Sequence, residues 1–356
     1  MFDFSSFLSN KAFITEDHHV YTYADLLGLS ERFSEHLVPR SLIFIGCENS
    51  LESIVAYVSC LRSGVVPLLL SRDVPDETLY HLEAIYHPRY CWFPSRRDLL
   101  VKGKEKYSLG GYSLIQYDGD SPVLPEGLAL LLTTSGSTGS PKLVRLSHDN
   151  LKSNACSIIE YLKITSSEKA ITSLPMYYSY GLSVLNSHLL AGATLLLTDK
   201  SYVQREFWKF VLEEKATSFA GVPFTYEILK KMRFEKFLPS SVKVMTQAGG
   251  KLNSSLIKYF SEYARLHDIR FYVMYGQTEA TARMSYLPAE YTLNKVGSVG
   301  VAIPGGHFSL IDEDGMRIVS PNVEGELVYE GSNVFWGYAE SLDDLFKGDE
   351  NKGILY

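Results

Sequence analysis

Short apolar runs alternate with helical spacings through the first half of the chain. Leu42 to Ile45 reads as a buried strand, and Leu51, Ile54, Val55, Val58 and Leu61 then recur on one helical face before Gly64. Val65 to Leu70 is strand-like again, in spite of Pro67. Asp76 is placed to cap a helix carrying Leu79, Leu82 and Ile85, and Arg89 to Phe93 resumes an extended run. Alternation of this kind predicts βαβ units and a parallel sheet. Residues 101–126, rich in Gly, Pro and charge, read as a surface connection.

A second alternating block covers residues 204–276. A helix over Gln204 to Glu214 precedes a strand at Ala216 to Val222, and a further helix leads to the strand Val242 to Thr246. Asn253 caps a helix with Leu256, Ile257, Phe260 and Ala264 on one face, and a strand follows at Arg270 to Tyr275. From Val296 the texture changes: Gly-rich turns such as Asp312-Glu313-Asp314-Gly315 separate short alternating runs, among them Glu326 to Tyr329. That pattern predicts an antiparallel barrel or meander.

Composition narrows the function classes. With 34 Lys+Arg against 41 Asp+Glu the net charge is -7, and no basic block interrupts it, which argues against nucleic acid or anionic membrane as a partner. The longest apolar runs, such as Leu128 to Leu132, fall far short of the roughly 20 residues that span a bilayer. The opening MFDFSSFLSNK has no basic stretch leading into an apolar run, so it does not read as a secretory signal. Cys47, Cys60, Cys91 and Cys156 have neither metal-ligand nor paired spacing, and are expected to be buried thiols in a reducing compartment. A soluble, cytoplasmic protein is expected.

The chemistry is concentrated in Leu128 to Lys142. An apolar run fit for a buried strand breaks into Thr133-Thr134-Ser135-Gly136-Ser137-Thr138-Gly139-Ser140-Pro141-Lys142. Those ten residues offer six hydroxyls, two glycines that let backbone N–H groups approach an anion, and one cation, a set that suits a polyphosphate. A Walker A loop needs Gly-Lys-Ser/Thr at its end, whereas here Pro141 precedes Lys142 and no hydroxyl follows. A flexible Ser/Gly linker is the plain alternative, but linkers rarely sit directly behind five apolar residues.

The unbroken stretch Thr134 to Lys142 resembles the TSGSTGxPK phosphate-binding signature of the adenylate-forming superfamily, which comprises acyl- and aryl-CoA synthetases, peptide-synthetase adenylation domains and luciferases. Five further stretches resemble that family in order. Tyr21-Thr22-Tyr23-Ala24-Asp25-Leu26 is similar to an early helix entry. Leu174 to Gly181 resembles the segment bordering the acid pocket, with Tyr178 and Gly181 as pocket residues, although an aromatic cluster of purely structural purpose remains an alternative in a chain with 24 Tyr.

Gln247-Ala248-Gly249-Gly250 and Tyr275-Gly276-Gln277-Thr278-Glu279-Ala280 each follow a predicted strand, at the carboxyl ends where open α/β folds bind ligands. The glycines permit close approach to a flat base, Tyr275 can stack on it, Thr278 can donate to a phosphate, and Glu279 is a hard oxygen ligand for Mg²⁺. Glu279 taken alone is more often a solvated loop charge, and the surrounding YGQTEA match reverses that reading. The resemblance implies adenine beside Gly249, Gly250 and Tyr275, with Gly276 and Gln277 in the same loop, α-phosphate at Thr278, metal at Glu279, and β- and γ-phosphates along Ser135, Gly136, Ser137, Thr138, Gly139 and Lys142. Thr278, Glu279 and Lys142 are thereby the expected catalytic residues. Gly325 to Gly331, continuing to Gly337-Tyr338, resembles the family's barrel segment and reads as structural. His148 fits a helix-capping cluster, and Arg283 either touches an acid substrate or lies on the surface.

The resemblance implies an α/β fold of two packed, interleaved, mostly parallel sheets within about residues 1–290 and a small antiparallel barrel-like unit within about 291–356. It implies attack of a carboxylate on ATP, giving an acyl-adenylate and pyrophosphate, then transfer to coenzyme A or to the phosphopantetheine of a carrier protein. The family continues with a Thr-Gly-Asp element, a hinge and a small domain carrying a catalytic lysine, whereas this sequence stops at Gly353-Ile354-Leu355-Tyr356. The expectation is an ATP- and acid-binding portion that binds ATP weakly and adenylates poorly by itself. Tyr178 to Val184 has no acidic residue to hold an amino group, which favours an amine-free carboxylic acid over an amino acid. An amino-acid adenylation domain and a non-catalytic nucleotide-binding module are the rival readings.

Overall fold

The computed structural model describes residues 1–95, 103–133 and 142–356. Two large mixed sheets face one another. The eight-stranded sheet runs β20 (Gly337–Ala339), β9 (Leu143–Ser147), β8 (Leu128–Thr133), β4 (Val66–Ser71), β3 (Leu42–Cys47), β5 (Tyr90–Pro94), β7 (Tyr112–Tyr117), β6 (Gly103–Leu109). Its centre, β8 to β5, is parallel, and both flanks are antiparallel.

The nine-stranded sheet runs β16 (Val301–Ala302), β15 (Ser285–Leu287), β14 (Arg270–Tyr275), β13 (Val244–Gln247), β12 (Ser218–Gly221), β10 (Lys169–Ile171), β11 (Thr194–Leu196), β1 (Lys11–Ile14), β2 (Val20–Thr22). It is parallel from β14 to β1. A third, four-stranded sheet is antiparallel throughout, in the order β18 (Arg317–Ile318), β17 (Gly306–Ile311), β19 (Glu326–Gly331), β21 (Ile354–Leu355).

Local sequence explains the helices. α1 (Tyr23–Ser34) opens with a capping box in which Thr22 and Asp25 satisfy each other's backbone N–H groups. α2 (Leu51–Ser63) is capped by Ser50 and stopped by Gly64 at φ 67°, where a side chain would be strained. α3 (Asp76–Tyr86) begins at the residue expected to cap it: Pro75 occupies the cap position and Asp76 is the first helical residue. In α4 (His148–Leu162) Ser147 and Asn150 form the capping box, so His148 is a first-turn residue. α5 (Ser179–Leu190) is buried nearly all round, α6 (Arg205–Glu213) and α7 (Pro223–Lys231) follow, and Asn253 caps α8 (Ser254–Leu266). No helix among the described residues is long and apolar enough to cross a membrane.

The largest core lies between the two sheets and draws on both, with Ile45, Ile54, Trp92, Leu130, Leu182 and Leu195 packed together. Two expectations are corrected. Residues 103–117 are no surface connection but the β6–β7 hairpin, because Tyr112, Leu114 and Ile115, on the strand that follows a Gly110-Gly111 turn, are buried in the core. Cys156 is exposed on α4, whereas Cys47, Cys60 and Cys91 are buried and free.

Candidate active site

β13 and β14 are parallel neighbours with Gln247 opposite Val273, so their carboxyl ends open side by side. After β13 the chain turns through Gly249 at φ 78° and Gly250 at φ 150°, in the left-handed half of the map that favours glycine. Buried Gln247 pins the turn by donating Nε2–H to the Gly250 carbonyl at 2.8 Å. A Cβ on Gly249 would lie 2.4 Å from the Tyr178 hydroxyl, so this ring and the turn are in direct contact. Burial raises the Tyr178 phenol above its ordinary pKa, which keeps it a neutral donor.

After β14, Tyr275 stands 36% exposed at the edge of the sheet. Gly276 is folded against the returning chain, where a Cβ would meet the Ala282 carbonyl at 2.0 Å. Gln277 accepts backbone bonds from Ala280 and Ala282, and Thr281 and Ala282 both take positive φ, at 55° and 101°. Strain of this kind persists only where surroundings over-determine it. They do so here: Asn333 donates to the carbonyls of Ala280 and Arg283, Asn154 donates to that of Arg283, and Thr281 donates its hydroxyl to the Asn333 carbonyl. Nothing in the sequence singles out Asn154 and Asn333, since two isolated amides 179 positions apart carry no pattern.

The loop presents its functional groups to different partners. Thr278 Oγ1 lies 3.1 Å from Ser179 Oγ, at the first turn of α5. Glu279 accepts the Tyr338 hydroxyl on Oε1 at 2.7 Å. Tyr338 sits in β20 opposite Val144 of β9, and its ring centroid is 5.7 Å from Lys142 Nζ, which also pairs with Glu340 at 2.7 Å. Burial, then the Glu279 carboxylate, raise the Tyr338 phenol well above its ordinary value. Tyr338, which reads from sequence as part of a structural segment, thus joins Lys142 to Glu279. Residues 134–141, and with them Thr134, Ser135, Gly136, Ser137, Thr138 and Gly139, lie outside the described residues.

Glu279 fits a metal role in one respect: the tyrosine takes one oxygen, and Oε2 has no hydrogen bond among the described residues. Among those residues no three His, Cys, Asp or Glu side chains cluster as a cage. Mg²⁺ would therefore be held in the way usual for phosphate-bound Mg²⁺, by one carboxylate and the substrate's own oxygens.

Gly181 is buried in α5, where a Cβ would meet the Pro175 carbonyl at 2.2 Å, so it lets the helix close on the Leu174–Pro175 turn. Arg283 is not on the surface. It is 1% exposed, and it lies beside α5 rather than in solvent.

The model of the AMP-binding enzyme family matches residues 6–339. The chain belongs to that family. A 2-succinylbenzoate–CoA ligase of Bacillus cereus is 31% identical over 357 residues, covering 95% of this chain and 71% of that protein. In fold, the chain is similar to the N-terminal domain of FACL13 from Mycobacterium tuberculosis, with a TM-score of 0.79 at 18% identity over 94% of this chain and 88% of that one. It is likewise similar to the O-succinylbenzoate coenzyme A synthetase of Bacillus subtilis solved with ATP and magnesium ion, with a TM-score of 0.75 at 23% identity over 92% of this chain and 69% of that one. The two mixed sheets with an antiparallel third are the fold of adenylate-forming N-terminal domains.

Proposed function

We propose that this protein activates a carboxylic acid with ATP, releasing pyrophosphate and forming an acyl-adenylate whose acyl group passes to a thiol. The observation that carries the reading is one convergence. The Gly249-Gly250 turn meets Tyr178, Thr278 meets Ser179, and Glu279 meets Tyr338 beside Lys142, all at the carboxyl edge of β13 and β14.

In the reaction a carboxylate oxygen of the acid bonds to the α-phosphorus, and the bond to the pyrophosphate oxygen breaks. Two anions must meet, so the chain's task is to offset charge. The left-handed glycine turn lets backbone come close to adenine, and the exposed Tyr275 ring offers a stacking face. The Thr278 hydroxyl, oriented by Ser179, donates to the α-phosphate, and Lys142 compensates charge on the leaving pyrophosphate. When bound at Glu279, Mg²⁺ supplies Lewis-acid neutralisation of the phosphate oxygens.

The acid is an amine-free carboxylate, aliphatic or aryl. Tyr178 to Val184 carries no acidic side chain, and Tyr178 packs on Tyr180 against a buried cluster that includes Tyr161. The similar Bacillus cereus ligase is named for an aryl acid, which agrees. The acyl acceptor is coenzyme A, with a carrier pantetheine as the second choice. A cytoplasmic setting is supported by three buried free thiols.

Acid-dependent exchange of pyrophosphate into ATP tests the reading. Exchange that requires Mg²⁺ and a non-amino carboxylic acid is expected. An amino acid as the best substrate would overturn the acid class, and absence of exchange with every acid would overturn the activity.

A further inference from the structure

Glu340 is a carboxylate that the proposed reaction does not use, set by the fold against a cation that it does use. In the β20–β9 ladder Ala339 lies opposite Leu143, so one further step of the antiparallel register puts Glu340 across from Lys142. Their side chains meet, with Lys142 Nζ 2.7 Å from Glu340 Oε1. Tyr338, two residues earlier, donates to Glu279 Oε1. Residues two apart share one side of an extended chain, and here that side is exposed, with Gly337 and Ala339 buried behind it. One side of this strand thus touches both Lys142 and Glu279, to which the proposed reaction assigns pyrophosphate and Mg²⁺.

The two members of the pair are held unequally. The Tyr86 hydroxyl donates to the Ala339 carbonyl at 3.0 Å, and the Glu340 N–H donates to Asp344 Oδ2 at 2.9 Å. Ser341 donates both its N–H and its hydroxyl to that same oxygen. The backbone that carries the carboxylate is therefore fixed, whereas Lys142 reaches it on a flexible four-carbon stem. The pair itself is open to solvent, with the lysine side chain 50% and the glutamate side chain 60% exposed. Exposed ion pairs contribute little to stability, so this one yields to a stronger claim on the lysine.

A polyphosphate makes that claim, and Glu340 then acts against it. Two acceptors on one ammonium sit about 5 Å apart. That lies inside the screening length of about 8 Å at physiological salt. The repulsion also changes along the reaction. When the bond from the α-phosphorus to the bridging oxygen breaks, the electron pair stays on that oxygen. The departing fragment gains a negative charge, so Glu340 opposes pyrophosphate more than it opposes ATP.

We infer that Glu340 promotes release of pyrophosphate, reclaiming Lys142 as the leaving group departs. The inference rests on the acid-activating function proposed above, with Lys142 at the pyrophosphate. Glu340 touches no reacting atom and is a positioning residue, acting by its charge and through the lysine. A glutamate that instead held Lys142 ready for phosphate would have the opposite effect on affinity.

Glu340→Gln keeps an oxygen acceptor for Lys142 and removes the charge. Calorimetric titration with magnesium pyrophosphate should give a Kd about fivefold below that of the unaltered protein. In acid-dependent exchange the KM for pyrophosphate should fall by a similar factor, the KM for ATP by about twofold at most, and the KM for the acid should stay as it is. A merely loosened fold would not single out pyrophosphate. Glu340→Asp, which keeps the charge on a shorter stem, should retain most of the unaltered Kd. Raising salt from about 0.05 M to about 0.5 M should narrow the gap between Glu340→Gln and the unaltered protein. Pyrophosphate bound equally or more weakly by Glu340→Gln overturns the inference, as does failure of both proteins to bind it. Tighter pyrophosphate binding by the variant, with no exchange for any acid, overturns the proposed function and leaves Glu340 assigned to a pyrophosphate site.

Discussion

Among the described residues two arginines are buried, and they are housed differently. Arg145, in β9, is fully covered, donates to the carbonyls of Trp336, Tyr338, Lys347 and Gly348, and forms an ion pair with Glu350. Arg283, after β14, is equally covered but has two hydroxyls, a thioether and an aromatic face. The first cation ties the 336–350 segment to the edge of the eight-stranded sheet and is satisfied by the fold itself. The second is satisfied only in part, beside a cavity. Burial of charge is common to both, so it does not distinguish a structural role from a ligand-facing one. The presence of an anion and of carbonyl acceptors does.

The contrast is broken most easily at Arg145. Arg145→Met leaves Glu350 without its partner and several carbonyls without a donor, and should destabilise the protein by about 4 kcal/mol. Urea unfolding measures it, and a change below about 1 kcal/mol would mean that the Arg145 shell is ornamental. Because β20 is held partly by this shell, exchange activity should fall as well, through Tyr338.

The same distinction separates two glutamates. Glu350 closes on Arg145, whereas Glu279 gives one oxygen to Tyr338 and has no bond on the other among the described residues. Glu279→Gln keeps the acceptor for Tyr338 and removes the charge. It should lower pyrophosphate exchange about 100-fold with little change in the urea midpoint. Undiminished exchange would remove the metal role from Glu279. Tyr338→Phe frees the carboxylate without removing it, and a smaller loss of about fivefold is expected, the scale of one hydrogen bond near 1 kcal/mol. A loss as large as that of Glu279→Gln would make Tyr338 a direct participant instead of a positioning residue.

What could be read from sequence follows the same division. The glycine turns at 249–250 and 276 announce themselves, because left-handed or crowded backbone restricts the residue type locally. Strands such as Leu42–Cys47 are legible because burial on both faces gives a continuous apolar run. The β6–β7 hairpin was hidden because its outer strand is polar, with Lys104, Glu105 and Lys106 exposed, and only Tyr112 to Ile115 betray a core. Arg283 and Tyr338 were hidden for another reason. Their partners, Tyr161, Ser183, Glu279 and Lys142, are distant in sequence, and tertiary side-chain clusters leave no periodic trace. Left-handed glycine turns are thus easier to read than side chains whose partners come from distant segments.

The smallest effect sharpens the comparison furthest. Arg283→Met in the absence of acid removes a guanidinium that had no anion, and replaces it with an apolar chain in an apolar cavity. The Tyr161 hydroxyl keeps Met274 Sδ as a partner at 3.1 Å, and Ser183 keeps the Tyr180 carbonyl at 2.7 Å, so neither hydroxyl is orphaned. Lost hydrogen bonds and relieved desolvation oppose one another, and replacing buried charge by apolar groups is frequently neutral or stabilising. The change in unfolding free energy should lie within about 1 kcal/mol of zero, against the large loss at Arg145. A loss at Arg283 equal to that at Arg145 would show that its neutral shell already satisfies the charge, and would erase the distinction between the two sites.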